Sequence, residues 1–302
     1  MGMQIDRQSA NTIDKSPFKN KAQLAELLKM EPRAVSESVH RKLLDEVRTY
    51  SLVGGLPECV KTRVDGGSLL DVREIQKDLI TAFEQDFAKY PERMDAFTLR
   101  EIWRSANASV GRQISYAALS REHTGTTNKK ALELLAKARL IKLSRAVSAT
   151  ALPFDLDSVP RIKPYAGDIG LYQTMSGRPA DEVLRERDLL NTFNGALAEQ
   201  FVAQELAASL GGSEPHWWKR NAKNAQAEVD FLVALNGCVQ PIEVKSVASG
   251  RLKSVHQLLK ENPSVLDAVV FSSAPFGEIR DQRLKFLPLY YAGSLNRMAE
   301  KL

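Results

Sequence analysis

Residues 227–246 read AEVDFLVALNGCVQPIEVKS, and no other stretch limits the fold so tightly. Two runs rich in apolar residues meet at Asn236-Gly237, a pair that favours the positive φ angles of a tight hairpin turn. Side chains alternate along a regular strand. Asp230 is therefore expected on one face with Glu228 and Leu232, and Val229, Phe231 and Val233 on the other. On the second strand Glu243 and Lys245 share a face, with Ile242 and Val244 opposite. Charged groups that interrupt nearly continuous apolar strands are costly unless they are paired or bound to a metal. Asp230 and Glu243, with the Ile242 carbonyl or a water, would make a hard-oxygen site suited to Mg²⁺ or Mn²⁺. Lys245 beside them could serve an attacking water or stabilise charge developing on a phosphate.

The surrounding pattern makes this a mixed α/β protein. The helix over TFNGALAEQFVAQELAASLGG precedes the hairpin and ends at Gly211-Gly212. On it Glu199 borders an apolar face and is expected to turn toward the sheet as a third carboxylate. After the hairpin come a helix at SVHQLLKENP, a buried strand at DAVVFSSAP and a last strand at LKFLPLYYAG. Gln257 on that helix is placed to line the same cleft. Trp217 and Trp218 are adjacent, so one is expected inside and the other at a surface or seam.

Earlier in the chain, helices are expected over residues 19–50 and 69–90, broken at Gly54-Gly55 and at Pro91. Residues 96–150 then read helix, short helix, helix, strand, the order of a winged helix-turn-helix. This segment holds ten Lys/Arg against three Asp/Glu, whereas residues 151–302 hold 17 against 18. Such asymmetry points to nucleic acid as a partner. The recognition helix is expected to start near Thr127 and to expose Asn128, Lys129 and Lys130, with Arg121 just before it and Lys142 and Arg145 on the wing. The proline-rich residues 151–190 read as a connector with a short strand near Ile162 to Tyr165, in which Asp168 fixes a turn or caps a helix. The organisation expected is thus a helical section (1–95), a winged helix-like domain (96–150), a connector (151–190) and an α/β domain (191–302).

Composition excludes several classes. With 302 residues, 43% of them hydrophobic and 26% charged, the chain is neither disordered nor collagen-like. It has no apolar run long enough to span a membrane and no apolar signal region at its start. Cys59 and Cys238 lack metal-ligand spacing and read as free thiols of a cytoplasmic protein. The four histidines, His123 among them, are scattered and read as packing or surface residues.

GxxxE on a helix, then EVDF, then IEVK resembles the PD-(D/E)XK nuclease-like fold. YSLVGGLPECV, LITAFEQDFAKY, the basic winged helix, GDIGLY, GALAEQFVAQEL, PIEVKS and LPLYY together resemble the AAA+-like ATPases whose C-terminal part is the domain DUF4143. From about residue 40 onward, the resemblance implies that Glu199, Asp230, Glu243 and Lys245 are nuclease-like core positions. It also implies a P-loop ATPase domain, yet GxxxxGK[ST] does not occur here and no nucleotide site is expected. A separate P-loop ATPase is therefore an expected partner, and apolar surface on the helical section would favour a homodimer.

Two functional readings follow: Mg²⁺-dependent hydrolysis of DNA guided by the winged helix, or a non-catalytic nucleic-acid-binding or regulatory module. A protein-interaction or scaffold role is a third. Convergence of Asp230, Glu243 and Glu199 beside an open cleft would favour the first. A cleft filled by Trp217, Trp218 or the 151–190 segment would favour the second.

Overall fold

A computed structural model describes residues 32–89, 94–147, 150–157, 161–179, 182, 195–211, 215–220, 227–245 and 252–295. The part of the expected first helix before residue 32 lies outside them. Three helices lead: α1 (Glu37–Val53), α2 (Pro57–Val64) and α3 (Leu69–Asp86). The break between the first two falls at Gly54, whose φ is +74° and where a Cβ would lie 2.2 Å from Asp168 Oδ1. Only glycine meets both conditions. Helix α3 opens with a reciprocal capping box between Ser68 and Asp71.

Next come α4 (Ala96–Ala108), a single turn at Tyr116–Ala118, α5 (Gly125–Lys137) and strand β1 (Ile141–Val147). Their small core joins Ile102, Trp103, Leu132, Leu135 and Ile141, with Phe83 and Phe87 of the preceding section edge-on to Trp103. The Thr124 side chain caps α5, so this helix starts at Gly125, two residues before the expected Thr127.

The remaining elements are β2 (Ile162–Ala166), α6 (Ile169–Met175), α7 (Gly195–Ser209), β3 (His216–Lys219), β4 (Glu228–Leu235), β5 (Cys238–Val244), α8 (Lys253–Glu261), β6 (Ala268–Ser272), β7 (Gly277–Ile279) and β8 (Leu284–Pro288). All eight strands form one mixed sheet in the order β2-β1-β3-β4-β5-β6-β8-β7. Strand β1 is not a free wing. It pairs antiparallel with β2 and parallel with β3 through Ala146–Trp217 and Val147–Trp218. The sheet therefore runs unbroken from the basic segment into the C-terminal α/β part. Strand β2, from the segment read as a connector, contains Pro164 and occupies an edge, where a missing N–H is tolerated.

Helix α7 packs Leu197, Phe201 and Val202 on one sheet face against Phe231, Val233, Ile242 and Phe271, with the buried Tyr291 alongside. Helix α8 packs Val255, Leu258 and Leu259 on the other face against Val229, Leu232 and Val270. Each such side chain contributes about 1.5–3 kcal/mol on burial. Gln200 and Gln204, one turn apart on α7, fix its height. Gln200 Oε1 accepts from Ala166 N at 2.7 Å, and Gln204 Oε1 accepts from Ile169 N at 2.8 Å.

Candidate functional site

The hairpin forms at Asn236-Gly237 with φ of 49° and 76°. The strict alternation expected along β4 does not hold. His216 pairs with Leu232 and Trp218 with Val229, so two steps of β3 face three of β4. This bulge moves Val229 into the core under α8 while Phe231 and Val233 stay under α7. Asp230 sits at the kink. The last regular pair of β4 and β5 is Phe231–Ile242. Beyond it Asp230 Oδ2, not a backbone carbonyl, accepts the Val244 N–H at 2.8 Å. The carboxylate thus lies where the two strands part.

Four further groups act on it. Glu243 is buried, and Lys245 Nζ donates to its Oε1 at 2.5 Å. Glu243 Oε2 is buried without a hydrogen-bond partner. Glu199 on α7 lies over Gly111, where a Cβ would stand 2.7 Å from its Oε2, and this oxygen accepts from Tyr165 Oη at 3.3 Å. Burial and then the charge of Asp230 push the Glu199 and Glu243 carboxyls each up to about 8. The Lys245 ammonium is pulled down by burial, but Glu243 first, and Asp230 and Glu199 after it, hold it above the ordinary lysine value.

Lys163 of β2 escaped the sequence reading. It is 1% exposed, with Nζ 2.5 Å from Glu228 Oε1 and 3.7 Å from Asp230 Oδ1. The same ammonium stands 5.1 Å above the ring of Trp217. Three carboxylates outweigh its burial and keep it charged. Nothing near Lys163 in IKPYA announces this role, because its ion-pair partners Glu228 and Asp230 lie more than sixty residues further on. Both tryptophans are buried, Trp217 under Lys163 and Trp218 in the core below α8, so neither lies at a surface. Gln257 does not join the cluster. Its amide donates to Glu261 on the exposed side of α8.

Glu199, Asp230, Glu243 and Lys245 thus form one electrostatically coupled cluster, yet Glu199, Asp230 and Glu243 do not gather oxygens within 4.8 Å of one another as a set. Among the described residues that criterion is met by Glu101 of α4 with Glu122 and His123, just before α5. These three form a candidate metal-binding cluster, with His123 Nε2 3.3 Å from Glu101 Oε2. The adjacent Glu122-His123 pair was the available signal for it, and it needed a third ligand 21 residues upstream.

The basic face is narrower than expected. Arg121, Lys129 and Lys130 are exposed. Asn128 is fully buried, its amide donating to the carbonyls of Tyr116 and Ser120, because the earlier helix start turns it inward. Lys142 is part-buried and donates to the Gly167 carbonyl at 2.7 Å. Arg145 is part-buried as well, with a buried Nε.

Asp168 caps α6 through Leu171 N at 3.0 Å and accepts from Gly55 N at 2.7 Å. It is a tie between segments and stands apart from the carboxylate cluster. No helix among the described residues is long and apolar enough to cross a membrane.

Two domain models match the chain. Residues 44–182 match a domain of unknown function, DUF8612, and residues 194–290 match a second domain of unknown function, DUF4143. No solved structure matches it significantly. Similar curated proteins are the uncharacterized protein Rv2008c of Mycobacterium tuberculosis and the uncharacterized protein Mb2031c of Mycobacterium bovis. Each is 29% identical over 203 residues, or 66% of this chain. The chain spans 42% of the length of each relative. A DUF8612 domain and a DUF4143 domain are therefore both present, joined here through one sheet.

Proposed function

We propose that the cluster around Asp230 is a divalent-cation site for hydrolysing phosphodiesters of nucleic acid, DNA foremost. The observation that carries this is a surplus of oxygen donors. Four carboxyl groups (Glu199, Glu228, Asp230 and Glu243) face two ammonium groups, Glu199 and Glu243 hold protons up to about 8 that a bound cation would displace, and a buried oxygen of Glu243 has no hydrogen-bond partner. Hard oxygen donors in excess suit Mg²⁺ or Mn²⁺. Asp230 and Glu243 would hold the ion, with Glu199 on the α7 side. A bound ion supplies Lewis-acid polarisation of the phosphoryl oxygen and a more acidic water. Lys245, a quarter exposed at its side chain, is the cluster's solvent-reaching cation and would orient the water or meet the charge growing on the phosphate. Arg121, Lys129 and Lys130 would supply backbone attraction.

A second reading is favoured by the geometry expected of it: Glu199, Asp230 and Glu243 do not converge as a set, and Trp217 and the 151–190 segment stand in the cluster. Lys163 and Tyr165, from the 151–190 segment, already fill part of the cluster. A module that binds nucleic acid without cutting it, working beside a P-loop ATPase, fits that arrangement. Incubation of supercoiled plasmid and single-stranded DNA with Mg²⁺ or Mn²⁺, against EDTA and beside Lys245→Ala, separates the two. Hydrolysis predicts metal-dependent cutting that the substitution reduces by about 10²-fold or more. Folded protein that binds DNA but leaves it intact with either metal would replace hydrolysis with the binding reading.

A further inference from the structure

The two lysines of the cluster are not equivalent. Lys245 pairs with Glu243, and its side chain is 26% exposed. Lys163 is 1% exposed and has carboxylate oxygens of Glu228 and Asp230 on two sides and the Trp217 ring on a third. That is the surrounding of a bound cation, assembled from β2, β3 and β4. Each Asp230 oxygen already has one partner, Lys163 Nζ at 3.7 Å from Oδ1 and the Val244 N–H on Oδ2, and keeps a lone pair that an ion shared with Glu243 could use. On the other side the partnerless Glu243 Oε2 remains. We infer that Lys163 is the resident cation of the Glu228–Asp230 half of the cluster, standing where a divalent ion would otherwise sit, so that the site takes one such ion at the Glu243 half and not two.

The inference rests on the reading of the cluster as a cation site, but its test needs no turnover. Mn²⁺ binding to the full chain is measured by equilibrium dialysis, in a His123→Ala background that removes the imidazole of the Glu101–Glu122–His123 cluster. The parent protein is expected to bind one Mn²⁺. Lys163→Met is expected to bind a second ion, or the first about tenfold more tightly, and Lys163→Arg is expected to match the parent. Two ions in the parent, or an unchanged count and affinity in Lys163→Met, would overturn the inference. No Mn²⁺ in the parent but one in Lys163→Met would overturn the one-ion count and the hydrolase reading together, since the lysine would then be the cation of the whole cluster. If Lys163→Met does not fold, Glu228→Gln gives the opposite test. Its loss turns the Lys163 charge onto Asp230 alone and lowers Mn²⁺ affinity several-fold, whereas unchanged or tighter binding contradicts the inference.

Discussion

Two places in this molecule gather acidic side chains, and they are opposite in kind. Near the start of α5, Glu101, Glu122 and His123 lie close together, Glu122 exposed and the other two half-buried. In the sheet Glu199, Asp230 and Glu243 are further apart but withdrawn from water, and two of them hold their protons to unusually high pH. At an exposed site water screens like charges, so closeness costs little. At a buried one the repulsion persists over longer distance and must be met by lysines, a hydrogen bond or a cation. Proximity finds the first cluster; electrostatic demand finds the second.

The largest expected effect tests that demand directly. Asp230→Ala strips a partner from the buried Lys163 and the acceptor from Val244 N–H, and should cost about 3–5 kcal/mol in urea unfolding. A loss below about 1 kcal/mol would place the sheet cluster among ordinary surface pairs and erase the contrast. Next comes the buried amide of the basic segment. Asn128→Ala should cost about 1–3 kcal/mol by leaving the Tyr116 and Ser120 carbonyls without their donor. It should leave the DNA affinity of the folded protein unchanged at fixed salt, and a weaker affinity would return Asn128 to the contact face. Lys130→Ala should do the reverse, keeping stability while lowering the slope of log K against log salt by about 1. The smallest effect belongs to the exposed cluster. Glu122→Gln should move stability by less than about 0.5 kcal/mol, and a larger loss in thermal unfolding would show its carboxylates to be held as firmly as those in the sheet.

Much of the architecture was legible because its signals are local. Asn236-Gly237 set the hairpin, Gly54-Gly55 the break between the first helices, and the apolar residues of α7 its burial. The candidate site was legible only as a set of residue types. The bulge at Asp230 depends on the register of β4 against β3, which strand periodicity alone does not encode, and it moves Val229 to the opposite face. The cap of α5 misled for a related reason. Thr124, Thr126 and Thr127 are all good caps, and a start at either of the later two leaves Asn128 in an exposed first turn. With the helix starting at Gly125, Asn128, Ala131, Leu132 and Leu135 form one inner stripe. Lys163 was hidden by a different rule, since a lysine beside a proline in a short edge strand looks like solvent-facing chemistry. Its burial is set by carboxylates contributed much later in the chain.

The short parallel seam between β1 and β3 has a consequence for how this chemistry could be inherited or moved. The seam brings β2 alongside, and with it the ammonium of Lys163 and the phenol of Tyr165. The stretch matching DUF4143 carries the four acids but only one of the two bases that balance them. The stretch matching DUF8612 carries the other base, buried against a neighbour it would lose. Neither stretch is a transplantable cassette: cut between them, one half keeps an anionic hole and the other a stranded cation.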